Sequence, residues 1–207
     1  MTVKRKLPRQ QPAAPTPDAD LMGSVGAELR RLRLGQGLSL QQVAGRAGLS
    51  VGFVSQAERG LSPISIKALQ DLGATLGKPI GWFFRDGADE ASREEADIVV
   101  RRQQRKRLEH PGLGITDYLL SPSLKGQLEV LLCEFAPGAT SGEQPYTHAG
   151  EECGLVLQGR FELWVGERHF LLRQGDSFAF PSTTPHRYCN PGRSRTLIVW
   201  AITPPSF

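Results

Sequence analysis

Residues 38–60 read "LSLQQVAGRAGLSVGFVSQAERG". The stretch holds two short runs of helical apolar spacing, each opened by a serine and closed by a glycine. Ser39 with Gln42 three residues on has the capping-box pattern, in which the hydroxyl accepts from a first-turn amide and the glutamine returns to the cap's own N–H. Gly48 suits the left-handed position that ends such a helix. Ser50 then caps a second run that stops at Gly60. Two capped helices joined by a tight turn form a helix-turn-helix, whose second helix enters the major groove of DNA. Within that second helix, Phe53, Val54 and Ala57 supply the inward stripe, which leaves Val51, Gly52, Ser55, Gln56 and Arg59 facing outward.

Working outward, "SVGAELRRLRLGQG" at residues 24–37 places Val25, Leu29 and Leu32 on one stripe and its arginines on the other face. "SPISIKALQDLGATLG" at 62–77 predicts a helix capped by Ser62, with Pro63 at the first helical position. "PIGWFF" at 79–84 predicts a short fifth helix closing an all-α unit over residues 21–84. Residues 1–20 carry Pro8, Pro12, Pro15 and Pro17 with little to bury, which predicts a disordered basic arm. Residues 85–97 are polar and acidic and predict a linker.

From residue 98 to 207 the apolar period is two and turns recur at short intervals. Candidate strands are "GQLEVLLCEF", "ECGLVLQG", "RFELWVG", "RHFLLR", "DSFAFP" and "RTLIVWAI", which predict an antiparallel barrel or sandwich. The expected fold class is therefore α+β in two domains, a five-helix unit followed by an all-β unit.

The 207-residue chain has a net charge of +4, but the positive charge is concentrated at one end. Residues 1–84 carry eleven basic and five acidic groups, and residues 85–207 fourteen basic and sixteen acidic. Basic excess on the helical side points to a polyanion, most simply double-stranded DNA. Val51 suits a thymine methyl, Gln56 an adenine and Arg59 a guanine, while Ser50 and Ser55 suit phosphate. No apolar run reaches the roughly 18 residues of a membrane helix, and no apolar stretch follows the basic N-terminus. A cytoplasmic protein without a membrane partner is expected. The three cysteines, Cys133, Cys153 and Cys189, show no CxxC spacing, which argues against a disulfide framework or zinc ribbon.

Two of the four histidines stand at strand ends, in "YTHAGEECGLVLQG" at 146–159 and "GDSFAFPSTTPHRYCN" at 175–190. Tyr146, His148 and Glu152 share parity and so share a face if the stretch is extended, with Gly154, Val156 and Gln158 continuing it inward. His186 and Tyr188 share another face. Two imidazoles and a carboxylate are a candidate ligand set for a divalent ion such as iron, zinc, manganese or nickel. The same five residues, Tyr146, His148, Glu152, His186 and Tyr188, also suit a small organic effector in a mostly apolar cavity.

The helical segment resembles the phage-repressor-type (XRE) helix-turn-helix family over about 60 residues, and the strand segment resembles a cupin over about 100. Tyr146 stands where the cupin motif has its first histidine, and Thr183 where it has a glycine. The resemblance implies a bacterial transcription regulator without catalytic activity. DNA would be bound through residues 51–59 by a homodimer on a palindromic operator. The cupin would pair the chains and sense a small molecule, and no cofactor beyond an optional divalent metal would be required. The alternative implied by the same domain pairing is a mononuclear metal enzyme resembling hydroxypropylphosphonate epoxidases, with His148, Glu152 and His186 as ligands.

Overall fold

The computed structural model describes residues 17–83, 97–110 and 112–205, with side chains in the first helix from Val25 onward. Residues 1–16 of the expected arm and nearly all of the expected linker lie outside these. The helical part contains α1 (Pro17–Gly35), α2 (Leu40–Ala47), α3 (Val51–Glu58) and α4 (Ile66–Thr75), followed by a 3-10 turn at Ile80–Phe83. Four α-helices are present among the described residues rather than five. The "PIGWFF" segment is too short for an α-helical ladder and closes through an i to i+3 bond, Trp82 N–H to Pro79 O at 3.0 Å. Residues 17–20, expected in the arm, belong to α1.

Ser39 caps α2 with both halves of the capping box formed, and Gly48 ends the helix at φ 66°. Ser50 caps α3, its hydroxyl accepting from the Phe53 amide at 3.1 Å. The cap of α4 is Ser65, not Ser62, and Pro63 lies ahead of the helix. Burial of Ile64 holds the "SPI" segment out of helical geometry, and Ser65 is the next hydroxyl that can reach a first-turn amide, that of Ala68 at 3.1 Å.

Val25, Leu29, Leu32, Val43, Val54, Ala57, Leu69 and Leu72 form the helical core. One arginine of α1 departs from its expected outward face. Arg33 is buried and forms a two-pronged ion pair with Glu58 of α3, Nε to Oε1 at 2.6 Å and NH2 to Oε2 at 2.8 Å. Its NH1 donates to Leu38 O at 3.0 Å. This clamp ties α1 to the end of α3.

The second domain has nine antiparallel strands: β1 (Arg107–His110), β2 (Ile115–Leu119), β3 (Glu129–Phe135), β4 (Glu151–Gln158), β5 (Arg160–Val165), β6 (Arg168–Arg173), β7 (Ser177–Pro181), β8 (His186–Cys189) and β9 (Thr196–Thr203). They form a six-stranded sheet, β1-β2-β3-β9-β4-β7, and a three-stranded sheet, β6-β5-β8. The expected barrel is thus two sheets and not one closed cylinder. The first strand begins at Arg107, whereas Ile98–Val100, expected to lead into a strand, form a turn and irregular chain. β4 alternates as expected through Val156, but a register shift between Val156 and Gln158 turns Gln158 outward. Phe135, Phe161, Leu163, Ile198 and Trp200 fill the space between the sheets.

Candidate functional site

Two surfaces carry chemistry. On α3, Ser50, Val51, Gly52, Gln56 and Arg59 are exposed and Ser55 is half-buried, while Val54 and Ala57 are buried. The Ser50 oxygen accepts from the Phe53 amide as the helix cap, which leaves its hydroxyl hydrogen to donate. Arg59, just past the helix, donates from Nε to Ser55 O at 3.1 Å, which braces its side chain along the exposed face. Glu58, between Gln56 and Arg59, faces inward to Arg33, so the only carboxylate on α3 is neutralised away from the outward face.

The second surface lies inside the β-domain. Tyr146 and His186 exchange backbone bonds, each amide donating to the other's carbonyl at 3.0 Å. The His148 amide donates to Ser182 O at 3.1 Å. These bonds lay the 146–148 segment beside β8, while Glu152 enters from β4. The resulting cluster is His148, Glu152 and His186, with one ligand atom from each lying within 4.8 Å of the others. Glu152 Oε1 stands 3.3 Å from His148 Nε2 and 3.4 Å from His186 Nε2.

The hydrogen atoms on the rings follow from the partners. His186 Nδ1 faces Thr184 O at 2.9 Å and His148 Nδ1 faces Ala149 O at 3.2 Å. A carbonyl only accepts, so Nδ1 carries a hydrogen in both rings and each ring turns its Nε2 toward Glu152. Burial lowers the His186 pKa, a shift that the Glu152 carboxylate only partly opposes, so its ring favours the neutral form. Two ring nitrogens and a carboxylate oxygen therefore face one another across a few ångströms. Glu152 Oε1 and His186 Nε2 are buried without a hydrogen-bond partner. A shared cation resolves the arrangement: ligands about 2.1 Å from one ion stand roughly 3.0 to 3.4 Å apart at octahedral or tetrahedral angles. The residues present fit a divalent metal, which His148, Glu152 and His186 would hold.

The other two expected residues lie next to this triad. The Tyr146 ring sits edge-on to His186, 4.3 Å between centroids, and its hydroxyl donates to the Tyr188 hydroxyl at 3.2 Å. Burial pushes both phenols well above their ordinary pKa, so both remain protonated hydrogen-bonding groups.

Sequence reasoning missed Trp200, whose Nε1–H donates to Glu152 Oε2 at 2.9 Å. Parity along β9 places Trp200 inward, but its partner depends on the pairing of Trp200 with Gly154, which only the fold supplies. It also missed a buried pair on the outer strands, His110 Nε2 to Asp117 Oδ2 at 2.8 Å, behind Cys133. Burial, and after it the Asp117 carboxylate, raises the Cys133 thiol well above its ordinary pKa. Cys189 is pushed up to about 12 by burial and by Glu162, so neither thiol is a nucleophile at neutral pH.

Family models match over the same two regions, a helix-turn-helix over residues 29–83 and a cupin domain over 131–202. The chain is 28% identical over 183 residues to the HTH-type transcriptional regulator PuuR of Escherichia coli, covering 88% of this chain and 96% of that one. The chain is a helix-turn-helix transcription regulator with a C-terminal cupin domain. Among solved structures, an HTH_3 family transcriptional regulator from Vibrio cholerae superposes on the regulator with a TM-score of 0.60 at 23% identity, covering 91% of this chain and 99% of that chain. A hydroxypropylphosphonic acid epoxidase from S. wedmorenis superposes with a TM-score of 0.43 at 18% identity, covering 87% and 97%. No helix among the regulator's described residues is long and apolar enough to cross a membrane.

Proposed function

We propose that this regulator binds double-stranded operator DNA through α3 and senses a small-molecule effector in its cupin domain. The observation that carries the reading is the outward face of α3. A cap, a left-handed glycine turn and a buried Arg33–Glu58 clamp fix a short helix that presents Val51, Gly52, Gln56 and Arg59 to solvent. Those groups match major-groove chemistry, and Ser55 lies beside them. One such helix offers little contact area, so the reading includes a homodimer on a palindromic site. Exposed Leu155 and Leu157 on β4 offer apolar surface for pairing cupin domains. A cytoplasmic location belongs to the same reading.

The effector site is assigned to Tyr146, His148, Glu152, His186 and Tyr188, with a divalent metal on the His148–Glu152–His186 triad. A bound ion would supply a Lewis-acidic anchor for an oxygen or nitrogen of the effector. The two phenols orient the remainder of the ligand. The triad would equally suit a mononuclear metal enzyme. Against that alternative, its neighbours Tyr146 and Tyr188 are held protonated and bonded to each other, so neither phenol serves as a general base.

The test is binding to DNA from upstream of its own coding region. Binding is expected to weaken steeply with salt through counterion release. Arg59→Ala is expected to reduce specific affinity by about 1 to 3 kcal/mol. Salt-independent or absent binding would refute the reading, and an unchanged affinity removes Arg59 from the contact set. Elemental analysis of wild type beside His148→Ala and His186→Ala tests the metal; a metal content equal in all three refutes the triad.

A further inference from the structure

We propose that the helical domain is docked on the cupin domain through the N-terminal end of α4, and that the Ser141–Gly142 corner relays the state of the effector site to the recognition helix. The relay rests on the effector reading above. The docking does not.

Three contacts at one place build the dock. The Ile66 amide, in the first turn of α4 where no helical acceptor exists, donates to Ser141 O across the domain boundary at 3.4 Å. Beside it, Gly142 lies so close to Ser65 that a Cβ there would come within 2.9 Å of the Ser65 Cβ. Gly112, in the turn between β1 and β2, lies so close to Pro63 that a Cβ would come within 2.6 Å of the Pro63 Cβ. Both glycines have positive φ, 113° and 76°, so their turns and the tight approach both favour glycine. The dock also explains why the "SPIS" segment is extended ahead of the helix: its Pro63 and Ser65 are contact residues.

The corner is wired into the effector site. Ser141 is fully buried, its amide donates to Tyr188 O at 3.0 Å, and its hydroxyl accepts from the Tyr188 amide at 3.0 Å. Tyr188 lies two residues along β8 from His186 and bonds Tyr146 inside the domain. On the helical side, α4 packs on α2 and α2 on α3. A cleft of about 420 Å³ runs along the same boundary, lined by Gln70, Asp71 and Lys78 from the helical domain and by Thr147 and His148 from the other. His148 is therefore both a triad residue and a wall of the domain junction. An effector that favours one arrangement of this corner changes the orientation of α3 by its differential affinity for the two states.

The test uses the full chain, with backbone NMR relaxation for tumbling and amide exchange read at Ile66. In wild type the two domains are expected to share one correlation time, with the Ile66 amide protected. Pro63→Arg on one side and Gly112→Ala on the other are each expected to split the correlation times and speed Ile66 exchange at least about fivefold, the scale of one lost hydrogen bond. Amides of α3 and β9 that stay protected in both variants show that each domain remains folded. Ser141→Ala, which removes only the hydroxyl that Tyr188 bonds, is expected to speed exchange at Ile66 in the other domain by a similar factor. Independent tumbling in wild type overturns the dock, and an Ile66 rate unchanged by Ser141→Ala overturns the relay. Failure of DNA binding in a chain that tumbles as one body removes the regulator reading and leaves the dock standing.

Discussion

Glu58→Ala isolates the clamp that fixes the recognition helix. Arg33 and Glu58 have side chains only 10% and 6% exposed, and two charged hydrogen bonds of 2.6 and 2.8 Å join them. The substitution leaves Arg33 with one acceptor, Leu38 O, and two donors without a partner in a site nearly closed to water. Removing one member of a buried pair costs about 3 to 5 kcal/mol, because the remaining charge is left uncompensated. Access of water to the Arg33 head places the expected loss at the lower end, about 3 kcal/mol. Native-state amide exchange in α3 reads this directly, since about 3 kcal/mol is roughly a 150-fold rise in the opening constant. The double variant Arg33→Leu/Glu58→Leu is expected to recover most of the loss, because two apolar groups leave no buried charge. A loss under about 1 kcal/mol for Glu58→Ala, or a double variant no better than the single one, would refute the reasoning.

Three further outcomes are expected. Gly154→Ala sets a Cβ 2.7 Å from Phe178 Cε1, in a ring already packed on Trp200, so about 1 to 3 kcal/mol of overpacking is expected in β-domain denaturation; unchanged stability would refute the overpacking. Ser39→Ala removes the capping box of α2 and is expected to cost about 1 kcal/mol in thermal unfolding of the helical domain; no cost would show that Gln42 alone holds the end. His186 has a folded pKa below its unfolded value of about 6.5, so the unfolded chain binds more protons in that range and β-domain stability is expected to fall as pH drops below about 6.5. Denaturant midpoints measured from pH 8 to 5 check this, and a midpoint independent of pH, or a pH dependence that persists unchanged in His186→Asn, rules it out.

Local chemistry was legible where it acts over three or four residues. Ser39 with Gln42, Ser50, Gly48 and the inward stripe of α3 follow from capping and helical period alone. The cap of α4 was misread because Ser62 and Ser65 carry the same local signal, and the difference is tertiary: Pro63 is held against Gly112. Arg33 looked like one more surface cation because its partner lies 25 residues away. β1 and β2 were missed because charged or polar residues occupy their inward positions, whereas β8 was legible only as the shared face of His186 and Tyr188. His110, Asp117 and His186 break the apolar alternation, and their pairing across strands is what permits the burial. The triad was legible as residue types, through parity and spacing, but the orientation of its rings required the carbonyls of Thr184 and Ala149.

The bond between Trp200 and Glu152 divides the work of the carboxylate. Oε2 is occupied by the indole N–H and only Oε1 faces the imidazoles, so the carboxylate is monodentate by construction. That geometry disfavours calcium, which commonly grips a carboxylate by both oxygens. It also gives the molecule an intrinsic optical probe. Trp200 is 3% exposed, Trp164 is half-buried beneath Arg187 and Trp82 is 47% exposed, so their emission differs in colour and a Trp164→Phe background isolates the buried component. Any charge that draws electron density toward Oε1 weakens the bond at Oε2, and the blue-shifted component of the fluorescence reports it without a label.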